Sequence, residues 1–225
     1  MKTDQGLTII RRLEDALDPA RLALVVYDVQ VGIRRQIKDG DTIVRAIAQV
    51  LEASRAAGVR VFYSRHMSLP KKLMGAMQIR TSMAWQRIDN PADASPWFLR
   101  DSPDFQITPE LRPGPDEAIL DKITMSVFEG TPLAIALRDC DVNAVMFVGI
   151  ALEIGIEPSA RHAADLGFVP IIVADACGHG NAEAAERSLA ALTFTGDAII
   201  TDVATLCRQL GGRGADVQGL ASGSA

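Results

Sequence analysis

Cysteine is scarce in this sequence, with only three residues in 225. Cys140, Cys177 and Cys207 are odd in number, widely spaced and without a Cys-x-x-Cys pair. Disulfide frameworks use paired cysteines and zinc knuckles use closely spaced ones, so the sequence suggests neither. We interpret the three thiols as buried or incidental.

Histidine is equally scarce, and its three copies lie far apart in the sequence. His66 follows a strand-like run, but segment 63–68 holds neither a carboxylate nor a second histidine that would complete a metal site. A glycine-rich phosphate loop and a dinucleotide fingerprint are also missing from the sequence. We therefore predict no metal and no cofactor, and keep His66 as a candidate residue of a pocket wall.

An excess of positive charge is missing too, because 23 Lys and Arg residues stand against 28 Asp and Glu residues, a formal net charge of −5. Nucleic acids and anionic membranes select basic surfaces, so neither is expected as the main partner. No apolar run reaches the roughly 18 residues of a membrane span, and the first residues lack the basic-then-apolar pattern of a secretory signal. We expect a small-molecule substrate and a cytoplasmic location.

Strand-like and helix-like segments alternate along the chain. Apolar, β-branched runs that predict strands cover 22–28, 59–64, 118–122, 144–150, 169–175 and 198–201. Stretches of helical period cover 41–57, 131–138, 154–166, 181–192 and 202–210, with Asp41 and Asn181 as predicted N-caps. This order predicts one Rossmann-like, three-layer α/β domain over 1–210, in which a six-stranded parallel sheet carries helices on both faces. The Gly-, Ser- and Ala-rich remainder, 211–225, is predicted to be a disordered tail.

The segment 67–115 interrupts this rhythm between the second and third predicted strands. It contains both tryptophans, Trp85 and Trp97, and is far longer than the connection of about two to six residues that is usual in α/β units. One interpretation is a lid or specificity loop over a binding site. The other is an ordinary surface excursion or a subunit contact.

Chemistry-bearing residues stand at three predicted strand ends. Asp28 ends the first strand, Lys122 ends the third, and the segment 149–155 follows the fourth. In an open parallel sheet the carboxyl ends of strands meet at one edge, where ligands bind. We expect Asp28 and Lys122 to meet there and exchange protons, because burial and mutual attraction act on both pKa values. Taken alone, Asp28 is also a common turn residue and Lys122 a common surface charge.

Three ordered motifs carry a resemblance to a known family. They are Val-x-Asp-x-Gln at 26–30, Lys122 followed by Ser-x-Phe-x-Gly-Thr-x-Leu at 126–133, and Gly-Ile-Ala at 149–151. Each is weak alone, but their order and spacing over roughly residues 20 to 210 resemble the isochorismatase-like cysteine hydrolases. That resemblance implies the same α/β fold, hydrolysis of a small molecule and a homo-oligomer, a dimer or tetramer.

The resemblance also implies roles for single residues. Asp28 would be the catalytic aspartate, Lys122 the catalytic lysine, and Gly155 would stand at the position of the nucleophilic cysteine. The peptide bond between Ile150 and Ala151 would be cis, and backbone amides near Ala151 and Gly155 would form an oxyanion site. The candidate residues lining the substrate pocket are Gln30, His66, Trp85, Phe128 and Glu153.

Gly155 supplies no nucleophile, so the sequence leaves several functions open. The leading hypothesis is a metal-independent hydrolase in which Asp28 and Lys122 provide acid-base chemistry and water attacks a vinyl ether or a C–N bond. The alternatives are a ligand-binding homologue without catalysis and an amidohydrolase inactivated by a Cys-to-Gly change. Cys177, beside His179, is a weaker candidate nucleophile. Glu153 would orient water, pair with a cationic substrate, or only complement a helix dipole.

Overall fold

A six-stranded parallel sheet forms the centre of the protein in the computed structural model, which describes residues 2–221. An N-terminal hairpin of β1 (Lys2–Asp4) and β2 (Leu7–Ile9) precedes it. The strands of the sheet are β3 (Leu22–Tyr27), β4 (Arg60–His66), β5 (Ala118–Lys122), β6 (Ala144–Ile150), β7 (Val169–Gly178) and β8 (Ile199–Thr201). Their order across the sheet is β5-β4-β3-β6-β7-β8, and every neighbouring pair is parallel. The predicted α/β class and six-stranded parallel sheet are confirmed.

Helices cover both faces of this sheet. They are α1 (Leu13–Ala16), α2 (Val31–Arg34), α3 (Gly40–Ala56), α4 (Ala76–Gln86), α5 (Leu133–Asp139), α6 (Glu157–Asp165), α7 (Ala182–Thr195) and α8 (Val203–Ala221). Apolar residues of α1, α3 and α8 share one buried cluster with one face of the sheet. Those of α5, α6 and α7 share a second cluster with the other face. The result is the predicted three-layer arrangement.

Strand β3 shows why an uninterrupted apolar run forms a central strand here. All six of its residues are buried. Successive side chains of a strand point to opposite faces, so Leu24 and Val26 enter one helical layer while Val25 and Tyr27 enter the other. A strand covered on both faces needs apolar residues at every position, because a polar residue at every second position would be buried against one of the helical layers.

The direction of winding reverses between β3 and β6, which places a crevice at the carboxyl ends of these two strands. The strands approach closely at Gly149, whose φ is +134°. A Cβ on Gly149 would lie 2.7 Å from the backbone nitrogen of Tyr27 and closer still to its carbonyl oxygen. Only glycine fits this position. The peptide bond between Ile150 and Ala151, at the end of β6, is cis.

Several predicted details differ in the structure. Asn181 caps α7, since its side chain accepts a hydrogen bond from the Ala184 amide, but Asp41 is not a cap. Helix α3 begins at Gly40, and the carboxylate of Asp41 pairs instead with Arg34 at 2.6 Å.

Helix α8 continues to Ala221, into the predicted disordered tail. Once the first turns of a helix are packed, each added hydrogen bond requires only one more residue to be fixed, so the helix extends easily. Residues 222–225 lie outside the described residues.

The long segment between β4 and β5 has ordered structure of its own. It contains α4 and short 3₁₀ turns at Lys71–Leu73, Pro91–Asp93, Pro103–Phe105 and Pro109–Leu111. Gln30 forms an isolated bridge with Ile107, and Ser68 donates its amide to the Phe98 carbonyl at 2.9 Å. These bonds hold the segment over the carboxyl edge of the sheet. Within residues 2–221, no helix combines the length and apolar character that crossing a membrane requires.

Candidate active site

Asp28 is the first residue after β3, at the point where the winding reverses. Its φ of +48° turns the chain out of the strand, and its amide donates to both the carbonyl and the hydroxyl of Ser64 on β4 at 3.2 Å. The Ser64 hydroxyl donates in turn to Asp28 Oδ1 at 2.5 Å. Asp28 is 3% exposed, so this carboxylate is held in one orientation in a site almost closed to solvent.

Lys122 reaches the same carboxylate from the end of β5. Its Nζ lies 2.6 Å from Asp28 Oδ2, and the lysine side chain has no exposed surface. The ammonium group also donates to the Tyr27 hydroxyl at 2.9 Å and the Thr124 carbonyl at 3.1 Å. Burial lowers the pKa of Lys122, while the negative charge of Asp28 opposes that shift. The sequence therefore predicted correctly that these two strand ends meet.

Tyr27 completes the cluster from the last position of β3. Its hydroxyl accepts from Lys122 and donates to the Met125 carbonyl, and its ring centroid lies 4.3 Å from Lys122 Nζ. Burial, with the negative charge of Asp28, raises the pKa of Tyr27 well above its usual value of 10. The phenol is thus a neutral group that links the ammonium to the backbone.

Gly155 lies against Tyr27, in a π-helical turn (Leu152–Ile156) between β6 and α6. A Cβ built on Gly155 would overlap the hydroxyl and ring of Tyr27, closer than the 3.0 Å that real Cβ atoms keep. The tyrosine ring and any side chain at position 155 therefore compete for one volume. The amide of Gly155, predicted to be an oxyanion donor, donates to the Ala151 carbonyl at 3.0 Å as part of the turn.

A cavity of about 160 Å³ opens beside this cluster. Tyr27 and Asp28 border it on one side, and Ile150 and Ala151 from the end of β6 border it on another. Its remaining wall includes His66, Trp85 and Phe98. A small molecule in this cavity would lie next to the Asp28 carboxylate and the backbone of the cis peptide.

Comparison with known proteins identifies the family of the chain. Residues 22–205 match the sequence model of the isochorismatase domain. The chain belongs to the isochorismatase family. Its family is a family of hydrolases.

Individual relatives cover most of the chain. The ureidoacrylate amidohydrolase RutB of Methylobacterium radiotolerans is 27% identical over 211 residues, which is 87% of this chain and 82% of that protein. A cysteine hydrolase from Pseudomonas syringae superposes with a TM-score of 0.75 at 24% identity, over 88% of this chain and 95% of that one. The N-carbamoylsarcosine amidase of Thermoplasma acidophilum superposes with a TM-score of 0.67 at 21% identity, over 81% and 96%. The two structural likenesses show the fold alone.

Two of the predicted lining residues, His66 and Trp85, lie in the wall of this cavity. The rings of the two residues meet edge to face with centroids 5.6 Å apart, and Phe98 contacts the other side of His66 at 6.1 Å. Burial, followed by the positive charge of Lys122, lowers the pKa of His66 to about 4. The imidazole is therefore neutral at pH 7.

Three other predicted lining residues have different contacts. Gln30 is fully buried, and its amide bonds to the backbone of His66 and Phe105, so it joins β4 to the long segment. Phe128 stacks on Phe168 in the core behind the sheet. Glu153 accepts hydrogen bonds at 2.8 Å from the amides of Gly180 and Asn181, and so holds the turn before α7. Their role in lining a substrate pocket stays a prediction.

Ser64 and Tyr27 are site residues that the sequence reasoning did not identify. A signal was available for each. Ser64 is a small polar residue directly after the apolar stretch 61–63 of β4, and Tyr27 is the one aromatic residue in the aliphatic run of β3. Both lie within two positions of Asp28 in strand register, since Val26 pairs with Tyr63.

Cys177 does not take part in this cluster. Its side chain packs in the core, and its thiol contacts the Phe147 carbonyl at 3.7 Å. Burial raises the pKa of Cys177, which keeps the thiol protonated and unreactive. Among the described residues, no group of three or more His, Cys, Asp or Glu side chains is arranged to hold a metal ion.

Proposed function

We propose that this protein hydrolyses a C–N bond of a small molecule, with water as the nucleophile and Asp28 as the general base. One observation carries the proposal: Asp28, which forms a buried pair with Lys122 at 2.6 Å, borders a cavity at the reversal point of the sheet. A charged pair buried without function is expensive, because desolvation offsets most of its attraction. The relative named ureidoacrylate amidohydrolase supports the choice of a C–N bond.

The hydrogen bonds of Asp28 favour this chemistry over vinyl-ether hydrolysis. Lys122 and Ser64 each donate a hydrogen bond to one carboxylate oxygen of Asp28, so both oxygens act as acceptors. A carboxylate in that role starts a reaction by accepting a proton, whereas vinyl-ether cleavage starts with donation of a proton to carbon. Water that adds to a carbonyl carbon would give its proton to Asp28, and Asp28 would return that proton to the departing nitrogen. Lys122 Nζ donates to Asp28 and holds the carboxylate in place.

We assign to the backbone amide of Ala151 the role of stabilising the negative charge that develops on the carbonyl oxygen of the substrate. It borders the cavity next to Asp28, at the cis peptide. A backbone amide whose direction is fixed by the fold stabilises such a charge without reorganisation. The roles of Ala151, Asp28 and Lys122 are those that the family resemblance implies, applied here to the geometry of this site.

Gly155 and Tyr27 support direct attack by water. The resemblance places a thiolate at position 155, and here the phenol of Tyr27 fills the space that a side chain there would need. An amidase that had lost only its cysteine would leave that space open to the cavity. The filled space therefore favours a site adapted to thiol-free chemistry over an inactivated amidohydrolase.

A ligand-binding protein without turnover is the second candidate, and the lack of a nucleophile at Gly155 is the observation that favours it. It differs from the first candidate in one result. A binding protein would be stabilised by a small amide or urea and release no product. The hydrolase would be stabilised and release product.

The test is a mass-spectrometric screen of small amides, ureas and enol ethers in ¹⁸O-labelled water. We expect one ¹⁸O atom in the acid product of the wild type, and a loss of turnover of at least about 100-fold in Asp28→Asn, the size expected for removal of a general base. The control is Asp116→Asn, which removes an exposed carboxylate. Unchanged turnover in Asp28→Asn would rule out the mechanism, and binding without product would favour the second candidate.

A further inference from the structure

A second cavity, of about 250 Å³, continues from the one beside Asp28. The two share His66, Trp85, Phe98 and Met125 in their walls. Asp28 borders the first cavity but not the second, so the second cavity lies further from the carboxylate. A substrate whose scissile bond lies at Asp28 would therefore extend its remaining group into this space.

The walls of the second cavity are mostly apolar and carry no charged side chain. Methionines and tryptophans contribute much of the surface: Met67, Met74, Met77, Met125, Trp85 and Trp97. The remaining lining residues are aliphatic, aromatic, hydroxyl-bearing or amide-bearing, and none of the residues that border this cavity is Lys, Arg, Asp or Glu. The one titratable side chain in the wall, His66, is neutral at pH 7.

Arg65 and Lys71 lie close in sequence to lining residues of this cavity, and both are engaged elsewhere. Arg65, in β4, pairs with Asp121 at 2.7 Å. Lys71 donates to the carbonyls of Pro91, Ala92 and Ala94, which fixes the backbone of the long segment. A carboxylate that entered the cavity would lose its hydration and gain no cation from the wall in return, which is a large penalty.

We propose that this cavity binds an uncharged apolar group of the substrate, of the size of a substituted aromatic ring. A cavity of about 150 Å³ lined by apolar side chains holds benzene, so this larger space holds a ring with a substituent. Flexible methionine side chains adapt to such a group, and Trp85 offers a face or edge for stacking. The inference rests on the proposed function and narrows its substrate to neutral aryl or alkyl amides and ureas.

The test compares three ligands that share one ring: benzamide, 4-nitrobenzamide and 4-carbamoylbenzoate. The nitro group matches the carboxylate in shape without its charge. Calorimetric titration of wild type and of Asp28→Asn measures binding whether or not the ligand is turned over. We expect 4-nitrobenzamide to bind at least tenfold more tightly than 4-carbamoylbenzoate, and Trp85→Ala to weaken its binding at least tenfold.

Gln78→Arg provides a second variant, because it adds a cation of similar length to the wall of the cavity. We expect it to reduce or reverse the preference against 4-carbamoylbenzoate, whereas the uncharged control Gln78→Met leaves the preference unchanged. Equal or tighter binding of 4-carbamoylbenzoate to the wild type, or no binding of any of the three ligands at millimolar concentration, would overturn the inference. Neutral ligands that bind but are not hydrolysed would uphold the cavity assignment and count against the proposed hydrolysis.

Discussion

Tyr27 and Gly155 act as one unit at the scale of single residues. The ring at position 27 occupies the volume that any side chain at position 155 would need, and its hydroxyl holds Lys122. A larger residue at one position is compatible with the fold only if the other becomes smaller. The two identities are therefore coupled through packing, although they lie 128 positions apart in the sequence.

This coupling predicts the behaviour of Gly155→Cys. Alone, the substitution forces the new side chain into the Tyr27 ring, and we expect a loss of at least about 2 kcal/mol in the free energy of unfolding, as for other overpacked cores. Combined with Tyr27→Val, the cost of Gly155→Cys falls by more than about 1 kcal/mol in a double-mutant cycle measured by urea denaturation.

Tyr27→Phe is the matched control for that cycle. It removes the hydroxyl but keeps the ring atoms that overlap a Cβ at position 155, so it brings little relief. Additive costs in the Tyr27→Val background would contradict the shared volume. Because the clash also displaces the site, Gly155→Cys alone is not expected to gain amidase activity.

The site was predictable from the sequence only in part. Asp28 and Lys122 each end a strand with a clear apolar pattern, and parallel strands bring their carboxyl ends to one edge, so their meeting followed from local signals. The contact between Tyr27 and Gly155 depends on how β3 packs against the turn after β6, which no local pattern records. The contacts of Gln30 with Phe105 and of Phe128 with Phe168 escaped the sequence for the same reason.

At the scale of elements, the close approach of β3 and β6 shapes the crevice. Gly149 permits it, because a Cβ there would overlap the backbone of Tyr27. Backbone atoms cannot move aside as a side chain can. We expect Gly149→Ala to lower the free energy of unfolding by more than about 3 kcal/mol, in the upper range for single substitutions.

Gly58→Ala separates this steric effect from backbone strain. Gly58 also has a positive φ, +75°, but no atom lies within 4 Å of the position that a Cβ would take there. Its substitution should cost only about 1 kcal/mol, the usual penalty for a left-handed residue with a side chain. Similar losses for the two variants, measured by thermal or urea denaturation, would show that strain and not strand contact decides the role of Gly149.

Elements with a strong period were predictable and those without one were not. The strands β5 and β6 have their predicted bounds, because each apolar run ends in a clear polar or turn signal. Helix α4 has no buried residue, so no apolar stripe marked it in the sequence. Three of the four short turns around it begin at prolines, which fix φ but do not reveal where the segment packs.

At the scale of the whole molecule, the alternation of strands and helices predicted the layers but not the order of the strands. Nothing in a local apolar pattern states that β3 lies between β4 and β6. That order decides which strand ends form the crevice, and so which residues meet. The homo-oligomer stays a prediction for light scattering to address.

The stability of the whole molecule should depend on pH through His66. Its folded pKa of about 4 lies below the unfolded value of about 6.5. Between these values the unfolded chain binds more protons than the folded protein, so stability falls as the pH is lowered from about 6.5 towards 4 and is insensitive to His66 above about pH 7. From pH 7 to pH 5 this group alone accounts for a loss of about 1 to 2 kcal/mol.

His66→Gln removes the titration and keeps a polar side chain, and we expect it to lose less stability than the wild type between pH 7 and pH 5 by that amount. His179→Gln is the matched control, because His179 is exposed. Urea denaturation at the two pH values gives the comparison, in which the carboxylates common to all three proteins cancel. If His66→Gln follows the same pH dependence as the wild type, the imidazole is not kept neutral by its burial between Trp85 and Phe98, and the second cavity would carry a positive charge at its entrance in mild acid.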